Sequence, residues 1–148
     1  MPLKFNISVL LLCLSIFNQQ MLFAADKNST DLTVHVNSAS SDEGVIRVFL
    51  LNSKVQFEQL DGHYKTCTKA VNKLRTRCRF ADIPYADYVI FSYHDKNSDA
   101  DLNFSLLGSP LEKMAISNID LADNDDPTFE QSKFTLDAVS AQVFINLQ

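Results

Sequence analysis

The sequence lacks the short motifs that mark most catalytic and metal centres. It contains no Cys-x-x-Cys, no His-Glu-x-x-His, no glycine-rich phosphate loop and no Gly-x-Ser-x-Gly. Its histidines, His35, His63 and His94, are singletons without ligand spacing. Ser92, His94 and Asp95 lie too close along one predicted strand end to form a nucleophile–base–orienter relay. These absences predict a protein that is not an enzyme.

The sequence also has little positive charge. Its 148 residues include 13 lysines and arginines against 18 acidic residues, which gives a net charge of −5. An acidic chain has little general attraction for nucleic acid or for anionic membranes. No apolar run reaches the ~20 residues that a membrane span needs. We therefore expect that the protein has no nucleic-acid partner and is not an integral membrane protein.

The N-terminus has the order of a secretory signal peptide. Lys4 gives a positive start, residues 5–17 are almost wholly apolar, and the small residues Ala24 and Ala25 follow a polar break. We predict a signal peptide at 1–24, cleaved after Ala24 or else after Ala25, and an exported protein, either periplasmic or extracellular. An uncleaved N-terminal anchor is the alternative. Removing 1–24, which holds one lysine and no acidic residue, would change the net charge from −5 to −6.

Hydrophobic spacing predicts an all-β fold, a single antiparallel β-sandwich of seven or eight strands spanning 31–148. The segment 45–51 is apolar on both faces, which predicts a central strand covered on both sides. Residues 52–62 could hold a short helix or an irregular loop. Residues 95–130 lack periodicity and hold nine of the 18 acidic residues, which predicts a long acidic loop region. The predicted strands are 32–36, 45–51, 64–70, 74–80, 88–94, 133–136 and 139–147.

Two cysteines, Cys67 and Cys78, lie beyond the predicted signal peptide. An even pair in an exported chain predicts a disulfide. Alternation places Cys78 on the core face of its strand, with Leu74, Thr76 and Phe80, but it places Cys67 on the same face as two lysines. A flat hairpin pairing the two cysteines would bring those lysines beside Phe80. Either a β-bulge or a bridge between different elements would remove the conflict.

The other face of the strand after Asn72 is basic, with Lys73, Arg75, Arg77 and Arg79 at every second position. One interpretation is a contact surface for an anionic envelope component or an acidic glycan. The other is a solvated strand whose charges discourage edge-to-edge aggregation.

The segment after His94 carries side-chain oxygens at every second residue, on Asp95, Asn97, Asp99 and Asp101. A tight loop with this spacing can direct several oxygens at one centre, and Ca²⁺ accepts about six to eight such ligands. The start resembles an EF-hand loop, but Ala100 replaces the turn glycine and Leu106 replaces the closing glutamate. The alternative is a polar loop whose side chains bond their own backbone.

A series of residues and short motifs between about Asp31 and Leu147 carries a family resemblance. They are Leu32-Thr33-Val34, Gly44, Arg47, Val48, Phe57, residues 80–84, Tyr88-Val89-Ile90, His94-Asp95-x-Asn97, Gly108-Ser109-Pro110-x-Glu112, Ser117-Asn118, residues 127–130 and Phe134-Thr135-Leu136. On these residues the chain resembles a family of exported bacterial proteins, domain of unknown function 2141. The resemblance implies a sandwich similar to transthyretin-like or carboxypeptidase-regulatory-like domains, and it implies no particular activity. The family usually has Asn-Gly where Asp99-Ala100 stands, and Asp where Asn103 stands.

Three functions remain open from the sequence. The first is a non-catalytic exported binding or structural module, stabilised by the disulfide and by Ca²⁺. The second is a small hydrolase with its site in the loops 94–130, using His94 with Asp95 or Asp99. The third is a cell-surface adhesion module.

Overall fold

The computed structural model describes residues 28–148, so the predicted signal peptide at 1–24 lies outside the described residues. In this part of the chain the fold is all-β with eight strands, as predicted, and no helix is long and apolar enough to cross a membrane. The elements in order are β1 (Ser29–Asn37), β2 (Val45–Leu51), α1 (Lys54–Gln59), β3 (Lys65–Ala70), β4 (Thr76–Pro84), β5 (Ala86–Asp95), β6 (Met114–Ile116), α2 (Phe129–Ser132), β7 (Phe134–Leu136) and β8 (Ser140–Asn146).

The strands form two sheets. One has the order β4–β1–β8, and the other has the order β3–β2–β5–β6 with β7 paired to the start of β5. Among the strands described here, every pair but one is antiparallel. The exception is β1–β8, a parallel pair that runs from Asp31 opposite Ser140 to Asn37 opposite Asn146. The first and last strands of the domain therefore lie side by side, a neighbour relation that the predicted antiparallel sandwich did not include.

The main core lies between the sheets and is built from alternate residues, because successive side chains of a strand point to opposite faces. From β1 it takes Leu32, Val34 and Val36, which are fully buried while the residues between them are half-buried. The strands β2 and β5 supply Ile46, Val48, Leu50, Tyr88 and Ile90.

A smaller apolar cluster covers the outer face of the five-stranded sheet. It contains Leu51, Val89, Phe91, Tyr93, Ile116 and Phe129, with Phe57 of α1 packed against it. This second layer explains why β2 is apolar on both faces, and it confirms the prediction of a covered central strand. The uncertain segment 52–62 forms α1, whose N-cap Ser53 accepts a hydrogen bond from Gln56 N–H.

The turn before β2 packs directly against the end of β5. Gly44 has a positive φ of +69°, and a Cβ atom there would lie 2.3 Å from the backbone oxygen of Asp95. Glycine is required at this position both by the conformation and by the close approach. The contact brings the segment 38–44 alongside the loop that begins at Asp95.

The predicted disulfide is present and joins the two sheets. Cys67 on β3 and Cys78 on β4 are bonded, with their Cα atoms 6.1 Å apart. Because β3 pairs with β2 and β4 pairs with β1, the two strands are not a flat hairpin. Of the two solutions to the cysteine conflict, the bridge between different elements is the one that the fold adopts.

Two local expectations are corrected. Leu74 was expected on the core face, but it lies in a tight turn closed by hydrogen bonds between Asn72 and Arg75 and is 47% exposed. Lys73 and Leu74 both have positive φ, as in a type I′ turn, so the strand begins only at Thr76. The acidic region 95–130 is not wholly loop, because β6 and the start of α2 lie within it.

Candidate functional site

The four basic residues predicted from the sequence gather at the outer face of the three-stranded sheet. Arg77 and Arg79 project from β4 and are exposed, while the buried Cys78 between them faces the core. Lys73 and Arg75 belong to the turn that leads into the strand, and both are exposed. The predicted basic surface therefore exists, with two members on the strand and two in its turn.

An aromatic stack lies beside these cations. The rings of His35 and Phe144 are parallel, with their centroids 4.4 Å apart, and His35 Nε2 lies 3.0 Å from the side-chain oxygen of Gln142. In the register of the sheet, Arg77 is opposite His35, and His35 is opposite Phe144. A cation, an imidazole and a 66% exposed phenyl ring thus form one row across three strands.

Two open grooves flank this row and share Arg77. The first, of about 560 Å³, also contains Lys73, Arg75, His35 and Phe144. The second, of about 520 Å³, extends from Arg77 past Arg79 toward Ser140. Together they give the sheet face a concave, positively charged surface, which we call the basic face.

The charges of the basic face are only partly neutralised. Arg79 donates a hydrogen bond to the Asp31 carboxylate, and this bond raises the pKa of the guanidinium. Lys73, Arg75 and Arg77 form no ion pair within residues 28–148. Three cations around an exposed ring, none of them paired within the described part of the chain, create a positive potential on an otherwise acidic protein, and this potential attracts anions locally.

The acidic loop begins with a buried ion pair. The side chain of Asp95 is fully buried, and its Oδ2 accepts a 2.7 Å hydrogen bond from Arg47 Nε. Its two oxygens also accept the backbone N–H groups of Asp99 and Ala100, each at 3.1 Å. Asp95 therefore closes the loop on itself and ties it to β2.

The remaining predicted ligands bond mainly to one another. Asp99 accepts hydrogen bonds from the backbone N–H of Asp101 and from the amides of Asn103 and Asn97, and these bonds lower its pKa. The side chain of Asp101 makes no hydrogen bond within the described residues. Ala100 has a φ of +76°, the conformation that favours glycine. The loop has the geometry of successive Asx turns.

The two interpretations of this loop predict different responses to Ca²⁺. No group of three or more His, Cys, Asp or Glu side chains within residues 28–148 is arranged to hold a metal ion, and Ca²⁺ would have to replace the hydrogen bonds of Asp95 and Asp99. The Ca²⁺ hypothesis stays a prediction, and it requires millimolar Ca²⁺ to raise the melting temperature by several degrees over EDTA. If the loop side chains only bond their own backbone, Ca²⁺ should leave the melting temperature unchanged. Asp101→Asn is the matched variant, because it removes a candidate ligand charge and no hydrogen bond that the side chain makes within residues 28–148.

His94 is buried on the inner side of the same strand end. Its Nδ1 accepts the backbone N–H of Ser40 at 3.1 Å, so Nε2 carries the proton and donates to the carbonyl of Glu43 at 2.8 Å. The ring is 1% exposed and fixes the segment 38–43 against β5. The hydrolase hypothesis stays a prediction, but in it His94 would have to release its hydrogen bonds to Ser40 and Glu43 before it could move a proton.

Sequence reasoning missed the aromatic half of the basic face. Phe144, His35 and Gln142 belong to β8 and β1, which are distant in sequence from the basic strand. Alternation identified both strands but could not show that β1 lies beside β4 and that β8 lies beside β1. A signal was present in Phe144, an aromatic residue at a position where the alternation of 139–147 places outward-facing side chains.

Comparison with known proteins gives a family and no function. The family model described as "Uncharacterized protein conserved in bacteria (DUF2141)" matches residues 34–143, which include all residues of both predicted sites. Phe144 lies one residue beyond the match. No curated protein and no solved structure matches the chain.

Proposed function

The chain belongs to the family of uncharacterized proteins conserved in bacteria (DUF2141), and from the geometry of its surface we propose that it is an exported, non-catalytic binding module. In this proposal the sandwich is of the transthyretin-like kind, residues 1–24 direct export, and the basic face binds an acidic glycan. The observation that carries it is the row of Arg77, His35 and Phe144 between two grooves, which hold three cations without an ion pair to any residue from 28 to 148.

The chemistry of the basic face suits an acidic sugar polymer. Arginine side chains bind carboxylates through charge-assisted and often bidentate hydrogen bonds. The exposed ring of Phe144 gives an apolar platform for the C–H face of a sugar, and the amides of Asn37 and Gln142 can bond hydroxyl groups. A simple anion would use the cations alone, whereas a uronic acid would use all three kinds of group.

The proposal is tested by titrating the oxidised protein with alginate, a polyuronate, and with neutral dextran of the same length. We expect binding to alginate only, with an affinity that falls as salt is added. Arg77→Glu should weaken alginate binding at least tenfold. A hydrogen bond to a charged group contributes about 1.5–3 kcal/mol, and a loss of about 1.4 kcal/mol already raises the Kd tenfold.

Lys69→Glu is the matched control, since it makes the same charge change at an exposed strand position of the other sheet. Equal losses in the two variants would show that only net charge matters, and the assigned face would then be wrong. Phe144→Ala separates a sugar site from a simple anion site: it should weaken alginate binding and leave the binding of inorganic phosphate unchanged.

A further inference from the structure

A second surface of the molecule is apolar and carries no known role. A groove of about 790 Å³ lies between the loop around residue 104 and the loop 119–125. This volume falls in the ligand-sized range of about 300–1,000 Å³. Its apolar lining consists of Leu60, Leu102, Phe104, Pro110, Met114 and Leu121.

The tip of the loop beside this groove is ordered and apolar. Backbone hydrogen bonds join Leu111 to Asn103, Ser105 to Ser109, and Gly108 to Ser105, so residues 103–111 form a small closed hairpin. The last bond makes a tight turn whose two corner residues are Leu106 and Leu107, exposed by 107% and 94%. Turn corners are normally polar or glycine. The fold therefore holds two leucines in water at a fixed position.

The floor of the groove is also fixed before anything binds. Gln148 and Met114 exchange both backbone hydrogen bonds, and the side chain of Gln148 accepts the backbone N–H of Leu121 at 2.7 Å. These contacts hold the strand β6 and the loop 119–122 together. A surface that is already ordered loses little conformational entropy when it binds a partner.

The charge around the groove indicates the partner. Asp120 and Asp125 line it, and Asp123 and Asp126 belong to the same loop segment. None of the four has an ion-pair partner within residues 28–148. An anionic lipid surface would be repelled by these carboxylates, and so would the same face of a second copy. A basic segment would be attracted.

We propose that this groove, with the leucine tip, is a docking site for a polypeptide segment that carries apolar side chains beside lysine or arginine. The apolar side chains enter the groove and cover Leu106 and Leu107. The cations pair with Asp120 and Asp125. This surface is separate from the basic face, so the two proposals stand or fall independently.

The test uses three labelled peptides of 15 residues and the purified oxidised protein, with fluorescence anisotropy as the measurement. One peptide combines leucine with lysine, one leucine with glutamate, and one serine with lysine. We expect the leucine–lysine peptide to bind at least tenfold more tightly than either of the others. Equal binding of the two leucine peptides would remove the role of charge, and equal binding of the two lysine peptides would remove the role of the groove; either result overturns the proposal.

Two variants of the protein locate the binding. Leu106→Ser/Leu107→Ser should weaken the binding of the leucine–lysine peptide at least tenfold. The melting temperature of the protein should not change, because both leucine side chains are exposed. Asp120→Asn/Asp125→Asn should weaken the binding of this peptide at least threefold and make the binding less dependent on salt. Asparagine at position 120 keeps the oxygen that accepts a hydrogen bond from Ala122 N–H. Val139→Ser is the control, since it removes another 90% exposed apolar residue on the three-stranded sheet side. An equal loss in the control contradicts the assigned site.

Two further measurements exclude other occupants. Sedimentation with vesicles of anionic and of zwitterionic phospholipid tests a lipid surface, and sedimentation velocity of the protein alone tests a second copy. We expect no vesicle binding and a monomer that Leu106→Ser/Leu107→Ser leaves unchanged. Vesicle binding or self-association that this variant abolishes would assign the groove to that occupant and overturn the proposal.

Discussion

Replacing Asp95 with alanine is expected to lower the free energy of unfolding by about 3 kcal/mol. Asp95 is fully buried and accepts three hydrogen bonds, from Arg47 Nε and from the backbone N–H groups of Asp99 and Ala100. Removing one partner of a buried ion pair costs about 3–5 kcal/mol, because the other charge stays in a poorly solvated position. The side chain of Arg47 is 22% exposed and can reach water, which places the expected loss at the lower end.

The measurement is urea unfolding followed by far-UV circular dichroism, since the chain contains no tryptophan. Asp126→Ala is the control, because it removes an aspartate without an ion pair in the described structure and should change stability by less than about 0.5 kcal/mol. Asp95→Asn, which keeps one acceptor oxygen and loses the charge, should fall between the two. A loss below about 1 kcal/mol for Asp95→Ala would show that the pair adds little to stability.

Breaking the Cys67–Cys78 bond should destabilise the fold by a similar amount. The two cysteines are 11 positions apart, and in the chain-entropy account closing a loop of this size contributes about 3 kcal/mol. The bond also joins β3 at the edge of one sheet to β4 at the edge of the other. Its loss therefore removes the side-chain cross-link between the two sheets at this edge and leaves the turn between β3 and β4 to connect them there.

We expect a reducing agent to lower the urea midpoint of the natural protein, and Cys67→Ala/Cys78→Ala to lower it without the reductant. The double variant should then be insensitive to reductant, which separates the effect of this bond from other effects of the reagent. An unchanged midpoint in the reduced natural protein would mean that packing alone holds the sheets together.

The sequence predicted the positions of the strands better than it predicted which strands pair with each other. The predicted strand 32–36 lies within β1, and its alternate residues Leu32, Val34 and Val36 are buried. The same alternation could not show that β1 lies between β4 and β8, because side-chain period fixes a face and not a partner. The conflict around Cys67 was the most informative local signal, since a flat hairpin pairing the two cysteines would have placed lysines beside Phe80. It left a β-bulge and a bridge between different elements as the two solutions.

The candidate sites were predictable to different degrees. The basic residues were visible because Arg77 and Arg79 alternate with buried positions along a single strand. Their aromatic partner Phe144 was not, because it reaches them only through the pairing of distant strands. In the acidic loop, the spacing of oxygens is the same for a cation site and for Asx turns, so the sequence alone could not separate them.

The parallel pairing of β1 with β8 has a consequence for how the protein folds. Partners in this pair are 109 positions apart, as with Asn37 and Asn146, so the contact is among the most distant in sequence that the domain makes. Such contacts form slowly, since a long chain segment must be closed before any pairing energy is gained. The five-stranded sheet can assemble without β8, but β1 then has one edge of unpaired backbone groups. A chain interrupted before residue 140 would keep that edge open, and an open edge readily pairs with other chains and aggregates.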